Sequence, residues 1–351
     1  MVGSDELTLG GEVSLADVQA GLLRFVPAPD DHGERLDLSF EWLDGNWNPV
    51  ADGTVHGTVT PVDDAAAFAD AGGQGVLWLA QHGGDEWYAR AQQLPDGSLV
   101  LVGTADGGSG GDPLDMGQNL GSAFGKILRI DPLGNNSANG KYGIPRDNPF
   151  VNDNNPQTLG EIYAYGVRNP QRFGWDPKNG NMFLAEIGQN IVEEISLVPR
   201  GGNLGWNEWE ASFRFVSRTE IKLNERRADP KVTYPVVEYD HKDPLLGGNV
   251  ATTGVIVYRS TAIPQLANLV IFGDNPSGEV FYFNADRLPN GGQDAIRRIL
   301  FNSGGAAKTL LQLIKEKAPS ATRADLRFGT GPNDRVFLLN KQDGVIREII
   351  R

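Results

Sequence analysis

Between Leu94 and Arg351 one unit recurs four times: a turn, an apolar strand, a loop of variable length and a second strand. "LPDGSLVLVG" is followed by "GKILRIDP", "NGNMFLAEIG" by "EEISLVPRGG", "LANLVIFGD" by "GEVFYFNAD", and "NDRVFLLNK" by "GVIREIIR". Each pair can close as a hairpin, and an inner strand that is apolar on both faces needs a sheet on either side to bury it. Repeated units of this kind stack as blades, so the pattern predicts an all-β chain built as a β-propeller. An irregular β-sandwich is the alternative. The uneven spacing of the copies puts the variation into loops, where ligand-binding differences are accommodated.

Composition agrees with a turn-rich, helix-poor chain: 45 glycines and 21 prolines in 351 residues. One helix is expected in "AAKTLLQLIKEKAPS", where Leu310, Leu311, Leu313, Ile314 and Lys317 form a stripe with a cationic last turn, ended by Pro319. The net charge of -14, with no basic block, argues against nucleic acid and anionic membranes as partners. No apolar run approaches the ~18 residues of a membrane span, so no membrane insertion is expected. The absence of cysteine removes disulfides, thiolate zinc sites and thiol nucleophiles. "MVGSDELTLGG" lacks the basic flank and apolar core of a signal peptide; if the protein is exported, the expectation is that this chain does not carry the signal.

The first 67 residues differ from the rest. "VSLADVQAGLLRFVPAPDD", "LDLSFEWLDG" and "TVHGTVTPVDD" alternate in the manner of a small β-sandwich with an acidic end. The expected organisation is therefore a sandwich over 1–67 and a propeller over 68–351, joined through "FADAGGQG", Phe68 to Gly75.

Three loops carry candidate chemistry. "YGVRNPQRFGWDP", Tyr165 to Pro177, sets Arg168 and Asn169 just before a proline that stiffens the backbone. The acidic, glycine-rich "ADGGSGGDPLDMGQN", Ala105 to Asn119, lacks the Gly-Lys-Ser/Thr ending of a phosphate loop. It suits a cation, sugar hydroxyls or an ordinary turn. In "AEIGQNIVEEISLVPRGGNLGWNEWE", turn carbonyls at Gly188 precede Glu193 and Glu194, which could help to bind calcium or could be surface residues on opposite strand faces. Trp209, Phe213 and Phe215 could stack on a sugar or fill a core.

From Pro95 onward the chain resembles the soluble glucose and sorbosone dehydrogenase family, the sugar dehydrogenases dependent on pyrroloquinoline quinone (PQQ). The resemblance rests on "PDGSLVLVGTADGGSGGDP", "GKILRIDP", "IPRDNPF", "EIYAYGVRNPQRFGWDP", "AEIGQN", "EEISLVPRGGNLGWN", "PVVEYDH" and "LVIFGDNPSGEVF". It implies a propeller of a six-bladed family, closed or incomplete here, that holds PQQ on calcium and oxidises the anomeric carbon of an aldose. By the same resemblance Arg168 and Asn169 contact the quinone, the main-chain carbonyls of Gly188 and Gln189 hold the calcium, and a histidine accepts the sugar proton. The position of that histidine falls on Glu86, beside Asp85; His82 in "QHGGDEWY" is the nearest histidine and becomes the candidate base. "GDNPSGEVF" offers only Glu279 where the family often sets cations, which leaves Arg259 as a further candidate for the quinone carboxylates.

Residues 1–67 resemble bacterial cadherin-like repeats, through "ADVQAGLLRFVPA" and "VTPVDDA". That resemblance implies a secreted protein, extracellular or periplasmic. Two functions follow. One is a PQQ-dependent aldose dehydrogenase with an unidentified electron acceptor; the other is an inactive propeller serving a surface protein as a carbohydrate-binding or adhesion module.

Overall fold

A computed structural model describes residues 103–351 in full and, before them, the backbone of strands β1 (Arg35–Leu43), β2 (Pro49–Thr58), β3 (Ala67–Ala69), β4 (Trp78–Ala80), β5 (Arg90–Gln93) and β6 (Val100–Gly103). The side chains of the 1–67 segment, the 68–75 linker, His82, Asp85 and Glu86 lie outside the described residues. The chain divides into two compact units, Met1–Ala67 with Ala80–Glu86, and Phe68–Leu79 with Trp87–Arg351. In the first, β1 and β2 pair as an antiparallel hairpin.

The second unit is a β-propeller of antiparallel sheets. Its first four-stranded blade runs β5-β6-β7 (Lys126–Ile130)-β8 (Ile162–Tyr165). The next consists of β9 (Pro170–Trp175), β10 (Met182–Glu186), β11 (Val192–Leu197) and β15 (Val237–Asp240), the last returning after an arm of β12 (Trp209–Glu210), β13 (Phe213–Ser217) and β14 (Glu220–Arg226). A third blade comprises β16 (Thr252–Tyr258), β17 (Leu269–Asp274), β18 (Val280–Asn284) and β19 (Arg297–Ile299). After the hairpin β20 (Phe301–Ser303)–β21 (Ala306–Lys308) comes a sheet of β22 (Arg327–Gly331), β23 (Arg335–Leu339) and β24 (Arg347–Ile349).

All four hairpins expected from the repeat are present: Val100 faces Ile130, Ala185 faces Ile195, Val270 faces Phe283 and Phe337 faces Glu348. Their burial explains the repeat. Every residue of β10 is buried, as is β17 after Leu269, because each of these strands has a sheet on both sides. The apolar cores lie between consecutive blades. Ile127, Ala164, Phe173 and Leu184 fill the first interface, Phe183, Ile195, Val237, Val255 and Phe272 the second, and Ile271, Val280, Leu326 and Val336 the third.

Helix α1 (Leu310–Lys315) buries Leu310, Leu313 and Ile314 in that third core. Thr309 caps it by accepting from the Gln312 amide while the Gln312 side chain returns to the Thr309 amide, two end groups satisfied at once. No helix among the described residues is long and apolar enough to cross a membrane. First strands β5, β9, β16 and β22 are neighbours in turn, so the loop entering β9 and the turn from β10 to β11 meet at one end of the blades.

Candidate functional site

Pro170 opens β9 with its ring against Gly103, where an added Cβ would come within 2.9 Å of it. The ring fixes where the preceding residues leave the strand. Arg168 is then pinned through its own backbone: its N–H donates to the Glu186 carboxylate, and its carbonyl accepts the Asp106 N–H at 2.9 Å. The half-buried guanidinium folds back onto the β10–β11 turn. Nη1 donates to the carbonyls of Gly188 (2.9 Å) and Ile187 (3.2 Å), and Nε to Gln189 Oε1 (3.2 Å). The same Gln189 oxygen accepts the Gly111 N–H at 2.8 Å, tying the glycine-rich loop to the turn. Asn169 completes the group: its carbonyl accepts the Ile187 N–H (3.1 Å) and its Oδ1 accepts Gln171 Nε2 (3.1 Å). Arg168, Asn169, Gly188 and Gln189 therefore come together at one place.

Glycine is required at 188, since a Cβ there would overlap the Val192 carbonyl oxygen. Glu210, which sequence reasoning gave no role, holds the rest of the turn: its Oε1 accepts the amides of Asn190 (3.1 Å), Ile191 (2.8 Å) and Val192 (3.0 Å). Asp106 was also unassigned. Its Oδ2 accepts Trp206 Nε1 at 2.8 Å and its Oδ1 the Gly108 amide at 3.0 Å, while the Arg168 guanidinium carbon lies 6.0 Å from the Trp206 ring. Burial raises the Asp106 carboxyl above its usual range, and the charge of Arg168 opposes the rise. Phe215 packs on Trp206 with centroids 4.9 Å apart, whereas buried Trp209 meets Tyr234 edge-on and Phe213 lies under Arg226.

The acidic loop is an ordered turn. Asp112 accepts the amides of Met116 (2.8 Å) and Gly117 (2.7 Å), and glycines at 107, 108, 110 and 111 adopt positive φ. Beneath it Lys126, 0% exposed, donates to the carbonyls of Met116 (2.6 Å), Gly117 (3.1 Å) and Phe124 (2.7 Å). Burial lowers this ammonium to about 7 against the pull of Asp112 and Asp115.

Glu193 and Glu194 are both buried, not surface residues. Glu194 faces Glu186 on β10 and Glu238 on β15 across the ladder. Burial raises Glu186 to about 7, against the Arg168 amide and the Glu194 side chain, and raises Glu194 well above the usual carboxylate range, where Glu186, Glu238 and Glu193 add to the rise. On the other strand face Glu193 binds His241 and the Thr252 amide. The segment "PVVEYDH" contained that histidine, but nothing local showed the residue it would meet, which comes from another strand.

Residues 14–296 match the Glucose / Sorbosone dehydrogenase family. The chain belongs to that family. The match begins within the 1–67 stretch and so includes most of it. Among relatives of this sugar dehydrogenase family, the HIPL1 protein of Arabidopsis thaliana is 29% identical over 285 residues, 78% of this chain and 40% of that protein. The aldose sugar dehydrogenase YliI of Escherichia coli (strain K12) is 26% identical over 180 residues, 50% of this chain and 43% of its own length. The chain thus spans less than half the length of these curated relatives. The apo-form crystal structure of the soluble aldose sugar dehydrogenase (Asd) from Escherichia coli aligns with 90% of this chain and 78% of that one, with a TM-score of 0.54 at 18% identity. That likeness shows a shared propeller fold.

Two of the positions the family resemblance singled out behave differently from the Arg168 group. Arg259 follows β16 and binds Asp176 through Nε (2.8 Å) and Nη2 (2.5 Å), and Asp286 and Asn268 through Nη1 (2.8 and 2.9 Å). Asp176 follows the last residue of β9 and Arg168 precedes the first, and the 6 residues of that strand extend about 20 Å. Arg259 is therefore at the opposite end of the blades, and the structure does not bring it to Arg168. Glu279 is paired with Arg298 (2.5 and 2.6 Å).

The Gly188–Gln189 turn is a poor fit to calcium as it stands. Calcium takes about six to eight oxygens. Here the Gly188 main-chain carbonyl accepts from the Arg168 guanidinium, and Glu210 Oε1 already accepts three turn amides. No cluster of three His, Asp or Glu side chains able to hold a metal occurs among the described residues. An anion fits better: Arg168 bonds only neutral acceptors and forms no ion pair among the described residues.

Proposed function

We propose that this chain is a PQQ-dependent sugar dehydrogenase that oxidises the anomeric carbon of an aldose. The observation carrying the proposal is the half-buried guanidinium of Arg168, which bonds no carboxylate directly among the described residues, at the blade end where loops 105–112 and 187–192 meet. A guanidinium without a carboxylate partner favours a planar anionic ligand, because charge-assisted paired hydrogen bonds are the strong ones. Membership of the sugar dehydrogenase family supports a quinone as that ligand and an aldose as the substrate.

When bound, PQQ supplies the two-electron acceptor. Arg168 would bind its anionic edge and stabilise negative charge there, with Asn169 beside it at the mouth of β9. Gln189, linked to Gly111, holds the two loops at a fixed separation. Buried Trp206, anchored by Asp106 and covered by Phe215, closes one wall against water. The sugar proton is assigned to His82, or to Glu86 in its place, both outside the described residues. An extracellular or periplasmic location and a cadherin-like character for 1–67 belong to the same proposal, supported by the sequence resemblance of that segment.

Titration of PQQ into the purified protein, followed by dye reduction with a panel of aldoses, tests this reading. Saturable PQQ binding with turnover of at least one aldose is expected, and Arg168→Gln should weaken quinone binding about tenfold or more. Failure to bind PQQ with or without calcium would overturn the proposal. Binding without turnover of any sugar would favour the inactive carbohydrate-binding module.

A further inference from the structure

The arm that carries Phe215 turns back through Arg218 and Thr219, between β13 and β14. Every other basic side chain of the arm is committed. Arg214 pairs with Glu208 (2.6 Å), Lys222 with Glu225 (3.0 Å) and Arg226 with Glu238 (2.9 Å), while Arg227 donates to Ser212 Oγ (3.2 Å) and the Pro235 carbonyl (3.0 Å). Exposed Arg218 forms no hydrogen bond or ion pair among the described residues, and it lies on the glycine loop of the Arg168 site. We infer that Arg218 selects the substrate: the aldose preferred by this chain carries an anionic group, carboxylate or phosphate, which the Arg218 guanidinium binds at the mouth of that site.

The placement follows from the loop. A Cβ at Gly110 would come within 3.0–3.2 Å of Arg218 Cδ, Nε and Cζ, so glycine at this position (φ +60°) lets the tip of the arm come close. Gly111, next in the chain, faces the Phe215 ring, and its N–H donates to the Gln189 oxygen that Arg168 Nε also bonds (2.8 and 3.2 Å). That run of contacts puts the two guanidiniums within about 13 Å of each other. Two loop carboxylates are turned away from Arg218: Asp106 holds Trp206 and the Gly108 amide, and Asp112 holds the Met116 and Gly117 amides. The two arginines therefore offer different things. Half-buried Arg168 is held by turn carbonyls, whereas exposed Arg218 has its donors open to solvent. An arginine fork takes a carboxylate or phosphate through paired, charge-assisted bonds, and a neutral sugar gives it no such partner. The anionic group only anchors the sugar; it takes no part in the oxidation at the anomeric carbon.

The inference rests on the dehydrogenase reading for the fate of the sugar but not for its binding. Calorimetric titrations of D-glucuronate, D-glucose 6-phosphate and D-glucose into the full chain, with and without PQQ, test it and separate the two anionic groups. At least one acidic sugar should bind about tenfold or more tightly than glucose, by a margin that shrinks as salt is raised. In Arg218→Gln the ratio should fall close to one, and Arg218→Lys, which keeps a point charge, should retain part of it. Acidic sugars binding no more tightly than glucose, a ratio unchanged in Arg218→Gln, or no binding of any of these sugars would overturn the inference. PQQ reports separately on the other reading. Turnover of neutral and acidic aldoses with equal kcat/KM would leave the dehydrogenase standing and remove Arg218 from substrate selection. An Arg218-dependent preference without PQQ binding would support the inference and overturn the dehydrogenase reading alone.

Discussion

His241 Nε2 lies 2.7 Å from Glu193 Oε1, and the other oxygen of that carboxylate accepts the Thr252 N–H at 2.7 Å. The pair joins three chain segments, since the His241 N–H also donates to the Ile191 carbonyl at 2.9 Å. Burial pushes Glu193 from 4.5 up to about 7, against the opposing effects of His241 and the Thr252 amide; Asp274 adds to the rise. Burial by itself would lower His241, but its bond to Glu193 and the charges of Glu193, Glu210 and Asp274 raise it overall.

Both shifts have the same sign for stability. Between 4.5 and about 7 the folded chain keeps a Glu193 proton that the unfolded chain has released, so this stabilisation is present at low pH and lost as pH rises. The full change is about 3 kcal/mol. The raised His241 adds a contribution lost as pH rises through its folded value. Urea midpoints at about pH 5 and about pH 8 should therefore drop less in Glu193→Gln than in the wild type. Glu186 and Glu194 shift in the same direction, so the variant should retain part of the slope. An unchanged slope would remove Glu193 from this account.

Lys126 is a structural cation at the base of the acidic loop. Lys126→Met would remove the side-chain donor from the Met116, Gly117 and Phe124 carbonyls; Gly117 keeps the Gly166 N–H (3.0 Å), and the other two lose this bond at about 1–3 kcal/mol each before any water enters. A loss of at least about 2 kcal/mol in urea unfolding is expected, and a loss under about 1 kcal/mol would show that the ammonium is dispensable.

Gly188→Ala tests the turn itself. The added methyl meets backbone, the Val192 carbonyl, so it cannot be relieved by a side-chain rotation. A destabilisation above about 2 kcal/mol is expected, together with loss of PQQ binding measured by fluorescence titration on whatever fraction remains folded.

Arg259→Met separates the two ends of the blades. Asp176, whose side chain is fully buried, would lose its main charge partner, at about 2–3 kcal/mol of stability. Quinone affinity should stay at the wild-type value, because Arg259 is remote from Arg168 along β9. A variant of normal stability with weakened PQQ binding would place Arg259 back at the cofactor.

The family resemblance singled out Arg168, Asn169, Gly188 and Gln189, whereas the sequence by itself determined the hairpins, the propeller class and the helix. These are local or repeated features: a turn between apolar strands, a proline that directs the residue before it, a glycine where backbone turns back on itself. Tertiary structure alone decided which charges meet. Glu193 and Glu194 have the alternating spacing of an ordinary strand, and only a sheet on each face makes both buried. Arg259 has the chemistry of an anion-binding residue, but it follows β16 where Arg168 precedes β9, so it neutralises Asp176 at the far end. The Arg168 guanidinium is the clearest case. Its identity and neighbours are written in the chain, whereas its hold on the Gly188 carbonyl arises from β9 pairing with β10 and a glycine loop closing over both.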